Sequence, residues 1–201
     1  MRKLLKFASF LLILYLVFWC GSVISDRKAL NDNLIRLHVV ANSDSDEDQE
    51  LKLQVRDAVI DKLQSTMESF PTMEEAKQYL QENLTELEEF VNQVIKELGS
   101  TDTAEVTVDR EAFNTREYDT FTLPAGYYEA LRITIGEGEG KNWWCVIFPS
   151  LCVGETAEDF ADTAVGAGFS NTLTETLQEE PQIRFFLLDW LGQVENFFRS
   201  L

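Results

Sequence analysis

The sequence is poor in the residues that most enzymes use for chemistry. It has one histidine and three cysteines among 201 residues, and it contains no G-x-S-x-G, H-E-x-x-H or Walker-type loop. Basic residues are also scarce, with 17 Lys and Arg against 35 Asp and Glu. So acidic a chain repels nucleic acid and phosphate-rich ligands, which argues against both as partners. We therefore expect no nucleic acid and no cofactor.

The first 25 residues have the pattern of an export segment. Three basic residues stand within the first six, and residues 7–24 are uncharged and mostly apolar. A positive start followed by an apolar run is the layout of a secretory signal. The run lies at the lower edge of the length that spans a bilayer as a permanent helix. The small residues among 21–25 could serve as a cleavage site, so a cleaved signal and a retained anchor both stay open. In either case the remainder is translocated.

The part after the leader is one acidic domain by size and charge. It holds 14 basic and 35 acidic residues, a formal charge of −21. Its length suits a single domain with a real core. We divide it into an α+β domain at 26–153, a linker without periodicity at 154–180, and an amphipathic C-terminal helix at 181–201. The membrane is expected to be contacted only through residues 1–25.

The order of periodicities predicts the fold class. Residues 34–40 alternate as a strand, and helical spacing then marks two stretches, the second running from Pro71 to Gly99 with a possible division near Thr85. From Glu105 to Phe148 the period is two, with turns between the runs. This order predicts an α+β fold: an antiparallel sheet of about four strands with helices on one face, flanked by the N-terminal segment and the C-terminal helix.

Two glycine-rich or acidic segments look like ligand loops but fit simpler structures better. Residues 42–46 resemble the opening of a calcium loop, but Glu47 and Leu53 occupy the positions that need Gly and a bidentate Glu. A helix N-terminus is the better interpretation, and no metal site is predicted. The glycines of 136–140 follow one strand and precede another, so they are predicted to form a hairpin turn.

The cysteines allow three interpretations. Cys20 lies in the leader, which leaves Cys145 and Cys152 as an even pair in a compartment that permits disulfides. They could instead be buried free thiols. In a third interpretation, Cys145, His38 and Asn42 are the parts of a thiol hydrolase, and the protein is an extracytoplasmic cell-wall or peptide hydrolase.

The C-terminal helix has an apolar stripe that must be buried somewhere. Its charges sum to zero, whereas helices that lie on membranes carry Lys and Arg on the polar face. We therefore expect residues 182–199 to dock on the domain or on a receptor rather than on lipid. Phe186, Trp190 and Phe197 are the candidates for partner contacts, because aromatic residues dominate interface energies.

Two blocks of sequence carry a family resemblance. The first is Ile35-Arg36-Leu37-His38-Val39-Val40-Ala41-Asn42-Ser43-Asp44-Ser45, and the second runs from Pro124 to Cys152 and includes Asn142-Trp143-Trp144-Cys145. Together they resemble the stage II sporulation protein R family of endospore-forming Gram-positive bacteria. The motif positions are His38, Asn42, Asp44, Asn142, Trp143 and Trp144. Pro149-Ser150 stands where the family has Pro-Pro.

The resemblance implies a signalling role. Members of this family are made in the forespore and exported into the space between the two septal membranes. There they trigger a membrane-embedded aspartic protease of the mother cell, which removes the pro-sequence of sigma-E. The resemblance therefore implies a protease activator that is not itself an enzyme, whereas the hydrolase interpretation rests on Cys145 and His38 alone.

Overall fold

The computed structural model describes residues 2–151, 157–179 and 182–200. Its helices are α1 (Arg2–Asp32), α2 (Asp46–Glu68), α3 (Met73–Glu82), α4 (Leu84–Glu97), α5 (Ala157–Gly166), α6 (Asn171–Gln178) and α7 (Ile183–Arg199). Its strands are β1 (Ile35–Val40), β2 (Ala104–Phe113), β3 (Arg116–Glu117), β4 (Thr122–Leu123), β5 (Gly126–Ile135) and β6 (Asn142–Phe148).

A four-stranded, mostly antiparallel sheet forms the centre, as predicted. Its strand order is β2-β5-β1-β6, with β2–β5 and β1–β6 antiparallel. The central pair β1–β5 is parallel. Strands β5 and β6 run in opposite directions with β1 between them, so β1 is antiparallel to β6 and parallel to β5. All six residues of β1 are buried, as expected for a strand covered on both faces.

The insertion of β1 corrects the predicted hairpin at residues 136–140. Strands β5 and β6 do not pair with each other, since β1 lies between them. The glycine-rich loop instead carries the chain past the end of β1. Sequence periodicity cannot reveal this, because it reports which face a residue occupies and not which strand is its neighbour.

One face of the sheet packs against α2, α3 and α4 through an aliphatic core. Ile35, Leu37 and Val39 of β1 point to this face, as their alternation predicts. Local sequence starts both helical stretches: Ser45 caps α2 by accepting a hydrogen bond from the Asp48 amide, and Thr72 caps α3 in the same way. The predicted division of the second stretch falls at Asn83, between α3 and α4.

The opposite face is covered by the end of α1, by α5, α6 and α7, and by the small β3–β4 pair. This corrects the linker predicted at 154–180. Within the described part of that stretch, α5 and α6 bury Phe160, Ala164, Leu173 and Leu177 in the core. Each helix has ten residues or fewer, so neither repeats its apolar positions often enough to show a period.

Helix α1 also extends beyond the predicted boundary at residue 25. It continues without a break to Asp32, and Val23, Asp26, Arg27 and Leu30 are buried in the domain. The first residues of the predicted domain therefore belong to the same helix as the apolar run. The first charged residue after the apolar run, Asp26, shows where that run ends, but the helix itself continues to Asp32.

Candidate functional site

The two motif blocks meet at the carboxyl end of β1. Antiparallel pairing of β1 with β6 sets Val40 opposite Asn142 and His38 opposite Trp144. The 136–141 loop then closes over the segment that follows β1. The amide of Glu139 donates to the carbonyl of Asn42 at 3.1 Å, and the amide of Gly140 donates to Ala41 at 2.9 Å. Residues about 100 positions apart in sequence thus form one site. We call the motif residues (His38, Asn42, Asp44, Asn142, Trp143 and Trp144) and the 136–141 loop the motif cluster.

Asn42 and Asp44 bind the backbone of the glycine loop. The Asn42 Oδ1 accepts from the amide of Glu137 at 2.9 Å, and the Asp44 Oδ1 accepts from the amide of Lys141 at 2.8 Å. The loop must come very close for these bonds to form. A Cβ on Gly136 would stand 2.2 Å from the Asn42 Oδ1, and φ at this glycine is +56°. Glycine at position 136 is therefore required by both space and backbone conformation.

Asp48 fixes the same segment from the first turn of α2. Its carboxylate accepts from the Ser43 hydroxyl at 2.5 Å and from the Asn42 Nδ2 at 3.1 Å. The hydrogen bond from Ser43 is the main cause that lowers the pKa of Asp48, and the bond from Asn42 adds to it. The acidic run interpreted as a helix N-terminus thus serves as a cap and also orients Asn42.

Lys52 joins α2 to the loop from below. Its Nζ donates to the Gln49 Oε1 at 2.7 Å and to the Lys141 carbonyl at 3.0 Å. Burial lowers the pKa of Lys52, and the nearby charge of Arg56 lowers it further. No group of three or more His, Cys, Asp or Glu residues with the spacing of a metal site occurs within residues 2–151, 157–179 and 182–200.

His38 lies on the other face of β1, where its ring is held on every side. Its Nδ1 faces Glu111 at 2.9 Å and its Nε2 faces the Asn142 Oδ1 at 2.7 Å. The ring stacks on Trp144 with centroids 5.6 Å apart. Arg132 lies 3.6 Å from the same Glu111 oxygen. Both ring nitrogens are therefore engaged by protein groups.

The tandem tryptophans point to opposite faces of β6, and an arginine guanidinium packs over each ring. The guanidinium of Arg56 lies 4.2 Å from the centroid of Trp143, whose side chain is 37% exposed. Arg116 lies 3.4 Å from the centroid of Trp144, and burial lowers the pKa of this arginine. Such cation–π contacts fasten α2 and β3 to the strand.

The structure does not bring together the residues of the hydrolase interpretation. Leu37 pairs with Cys145 and His38 pairs with Trp144, so Cys145 and His38 point to opposite faces of the sheet. Cys145 is buried in the aliphatic core, and Asn42 bonds to the glycine loop and Asp48. The proposed partner in the disulfide, Cys152, lies outside the described residues, so the disulfide stays a prediction.

Helix α7 docks on the domain, but not through the predicted aromatic residues. Phe185, Leu188 and Gly192 face the sheet. Gly192 touches the start of β5 so closely that a Cβ would lie 1.7 Å from the Ala125 carbonyl oxygen. A glycine within an otherwise apolar helix is the sequence signal for such contact.

The predicted partner residues instead form the outer face of α7. Phe186, Trp190 and Phe197 are 61%, 58% and 60% exposed, and Ile183 and Phe198 are more exposed still. We call Ile183, Phe186, Trp190, Phe197 and Phe198 the α7 row. Single exposed apolar residues are ordinary on proteins, but five on one helix form a patch of the kind that marks interaction sites.

Two ion pairs that the sequence did not suggest clamp α7 against α1. Arg184 bonds to Asp26 through two guanidinium nitrogens, and Arg27 bonds to Glu195 at 2.9 Å. Burial alone would raise the pKa of Glu195, but the hydrogen bonds and charges of Arg27 and Arg199 together outweigh burial, so this pKa is lowered. Four charges at distances of 158 and 168 residues along the chain carry no local sequence pattern.

Fold and site together define a class: a mixed α/β domain on a long apolar N-terminal helix, with an internally bonded polar cluster and an aromatic helix face turned outward. A family model, Stage II sporulation protein R (spore_II_R), matches residues 31–158, which hold both motif blocks. The chain belongs to the stage II sporulation protein R family.

One curated relative supports the same assignment. The chain is 32% identical over 183 residues to "Stage II sporulation protein R" of Bacillus subtilis (strain 168), which covers 81% of this chain and 82% of that protein. No solved structure is significantly similar to this chain.

Proposed function

We propose that the chain is an exported sporulation signal that activates a membrane-embedded aspartic protease. In this proposal the forespore makes the protein and sends it into the space between the two septal membranes. The mother cell's protease then removes the pro-sequence of sigma-E. Family membership supports a role in sporulation. The apolar α1 supports export, because it is long and apolar enough to cross a membrane.

The observation that carries the proposal is the α7 row. Helix α7 is fixed to the domain by Phe185 and Leu188 and by two ion pairs, yet its opposite face presents five large apolar side chains to solvent. Because α7 is already held in place, a partner could bind this face without first ordering the helix, which lowers the entropic cost of association. We propose that the protease is contacted through Phe186, Trp190 and Phe197.

The motif cluster has a structural role in this proposal. Its side chains bond to one another and to the glycine loop, so the cluster fixes the end of β1 and the start of β6. Trp143 is its most exposed large apolar residue and is covered on one side by Arg56. We propose that the cluster keeps the sheet in one register, and that no reaction takes place there.

The hydrolase function has no observation in its favour. A thiol hydrolase needs its cysteine and histidine within hydrogen-bond reach, and Cys145 and His38 point to opposite faces of the sheet. Glu111 and Asn142 already bond to both nitrogens of His38.

A single substitution separates binding from folding. Trp190→Ala should leave the midpoint of thermal unfolding nearly unchanged, because the side chain is 58% exposed. It should reduce sigma-E activation at least tenfold if Trp190 is an interface hot spot. Activation is measured with a sigma-E reporter in a spore-forming strain that lacks its own copy of the protein and carries the variant.

The matched control is Leu98→Ala, which truncates another exposed apolar residue away from α7. It should affect neither folding nor activation. Normal activation with Trp190→Ala and with Phe186→Ala would reject the α7 row as the contact surface. A second readout, immunoprecipitation of the protease with the variant, shows whether lost activation reflects lost binding.

A further inference from the structure

Helix α1 joins two environments without a break. Residues 2–18 are all exposed, with Phe18 at 78% and Val17 at 65%, although residues 7–18 are almost all apolar. The most apolar window of the helix has only 6% of its residues buried. From Val23 onward the same helix is part of the core. An exposed apolar helix surface of this length has one fitting neighbour, the hydrocarbon of a lipid bilayer, which about 20 helical residues can cross.

The C-terminal end of α1 is attached to the domain by buried charged side chains. Asp26 accepts from Arg184, and the Ser170 hydroxyl lies 3.4 Å from its other oxygen. Arg27 donates to the Ala125 carbonyl at 2.9 Å and pairs with Glu195. Breaking a buried pair leaves an uncompensated charge and is strongly destabilising. The domain therefore requires the end of this helix.

The contacts also reach past the candidate cleavage site into the apolar run. The Ser22 hydroxyl accepts from the Arg184 Nη1 at 3.2 Å. Trp19 is half-buried and packs against the core, and it lines an open groove of about 620 Å³ together with Ile183 and Phe186. A cut within residues 21–25 would remove Trp19 from the fold, and a cut after residue 23 would also remove Val23; either cut would begin the chain beside its ion pairs.

We propose that the leader is retained, and that α1 is a rigid membrane anchor and a structural part of the domain. The anchor holds the domain at the outer face of the membrane through one continuous helix, without a flexible linker. Its partner is the lipid bilayer, which the exposed residues of α1 before Trp19 enter. This inference concerns processing and attachment, and it does not depend on which protein the domain signals to.

The intact mass of the exported protein decides between retention and cleavage. The full chain with a C-terminal tag is expressed in a spore-forming host, membranes are washed with alkaline carbonate, and both fractions are weighed by mass spectrometry. We expect the tagged form in the membrane fraction to have the full 23.0 kDa mass of the chain plus the tag. A shortened form of the unsubstituted chain in the soluble fraction would overturn the proposal.

The control is V23A/S25A, which creates the A-x-A pattern at the two positions that a signal peptidase reads before Asp26. We expect this variant to be cut and released, which shows that the host processes this chain when a site is present. If the unsubstituted chain is released to the same extent, the anchor is not retained.

The structural half of the proposal has its own test. In the full chain in detergent micelles, Arg184→Asp should lower the unfolding midpoint on the order of 10 °C, because it sets two carboxylates together. The double variant D26R/R184D should recover most of that loss. An unchanged midpoint with Arg184→Asp would show that α1 is not clamped to the domain. Neither measurement uses sigma-E activity, so failure of the proposed function would leave both interpretable.

Discussion

The two faces of the sheet are built on different principles. The face under α2, α3 and α4 is almost entirely aliphatic, with one buried aromatic residue, Phe148. The face under α1 and α5–α7 buries six aromatic side chains and carries the buried Arg36 and His38 of β1. The first face stabilises the fold mainly through buried apolar area, although it also includes one buried carboxylate, Glu129, which pairs with Lys77 of α3. The second face depends on specific partners for groups that would otherwise be costly to bury.

Arg36 shows the difference most clearly. It is fully buried, and its Nη2 donates to the Tyr118 hydroxyl at 2.6 Å while its guanidinium lies 4.4 Å from the centroid of Phe113. Within the described part of the chain it makes no ion pair, and its Nη1 has no hydrogen-bond partner. Aromatic rings and neutral oxygens therefore replace a carboxylate around this charge.

The largest loss of stability is expected from truncating a residue of the aliphatic face. Leu131→Ala should lower the free energy of unfolding by about 2–5 kcal/mol, because Leu131 is fully buried and truncation leaves a cavity. Urea denaturation measures the change. Leu98→Ala, at an exposed position, should stay within about 0.5 kcal/mol and serves as the control. Equal losses in both variants would mean that this face is not the main core.

The next prediction tests whether the second face needs the charge or the volume of Arg36. Arg36→Ala should lower the free energy of unfolding by about 3 kcal/mol, because it empties an aromatic cage. Arg36→Met should lower it by less than about 1 kcal/mol, because the volume is kept and a buried charge is removed. If the methionine variant is as unstable as the alanine variant, the guanidinium itself is required.

A disulfide between Cys145 and Cys152 would strengthen the edge of the sheet that both faces share. Closing so short a loop is worth about 2 kcal/mol in the chain-entropy model. Cys145→Ser and Cys152→Ser should therefore destabilise equally, and the unsubstituted protein should resist thiol labelling unless a reductant is present. Loss confined to Cys145→Ser, with two readily labelled thiols, would contradict the pairing.

The smallest effect concerns pH and the α1–α7 clamp. The pKa of Glu195 is lowered from 4.5, so its contribution to stability is complete above that value and is lost as pH falls through the folded-state pKa. Glu195→Gln removes this contribution. The free energies of unfolding of the two proteins should differ most at pH 7 and converge in acid. The difference should stay below about 1 kcal/mol, because the Glu195 side chain is 25% exposed and Arg27 keeps its hydrogen bond to the Ala125 carbonyl. A constant difference across pH would rule out the ion pair as its cause.

The same contrast explains what the sequence could predict. The aliphatic face follows from period alone: the alternation of Leu131, Ile133 and Ile135, and the cap at Ser45, are local signals that the structure confirms. Four strands and the division of α3 from α4 follow from the same kind of signal. Each depends on neighbours within a few residues, whereas the apolar stripe of α7 did not show that Phe185, Leu188 and Gly192 are the residues that dock.

The second face could not be predicted in this way. The insertion of β1 between β5 and β6, the pairing of Asp26 with Arg184, and the contact of His38 with Glu111 all join distant parts of the chain. The sequence identified His38, Asn42 and Asn142 as motif residues without showing that they meet. It also suggested Cys145 as the partner of His38. Alternation within one strand does not show which residues of a neighbouring strand lie on the same face.

The unbroken course of α1 limits how far the domain can reach from the membrane. A domain of roughly 170 residues is about 40 Å across. If no flexible segment separates the bilayer from the core, every residue of the domain stays within about that height of the lipid surface. The protein could then act only on a target that a second membrane, or the same one, presents inside this gap, so the spacing of membranes would itself decide when the signal is delivered.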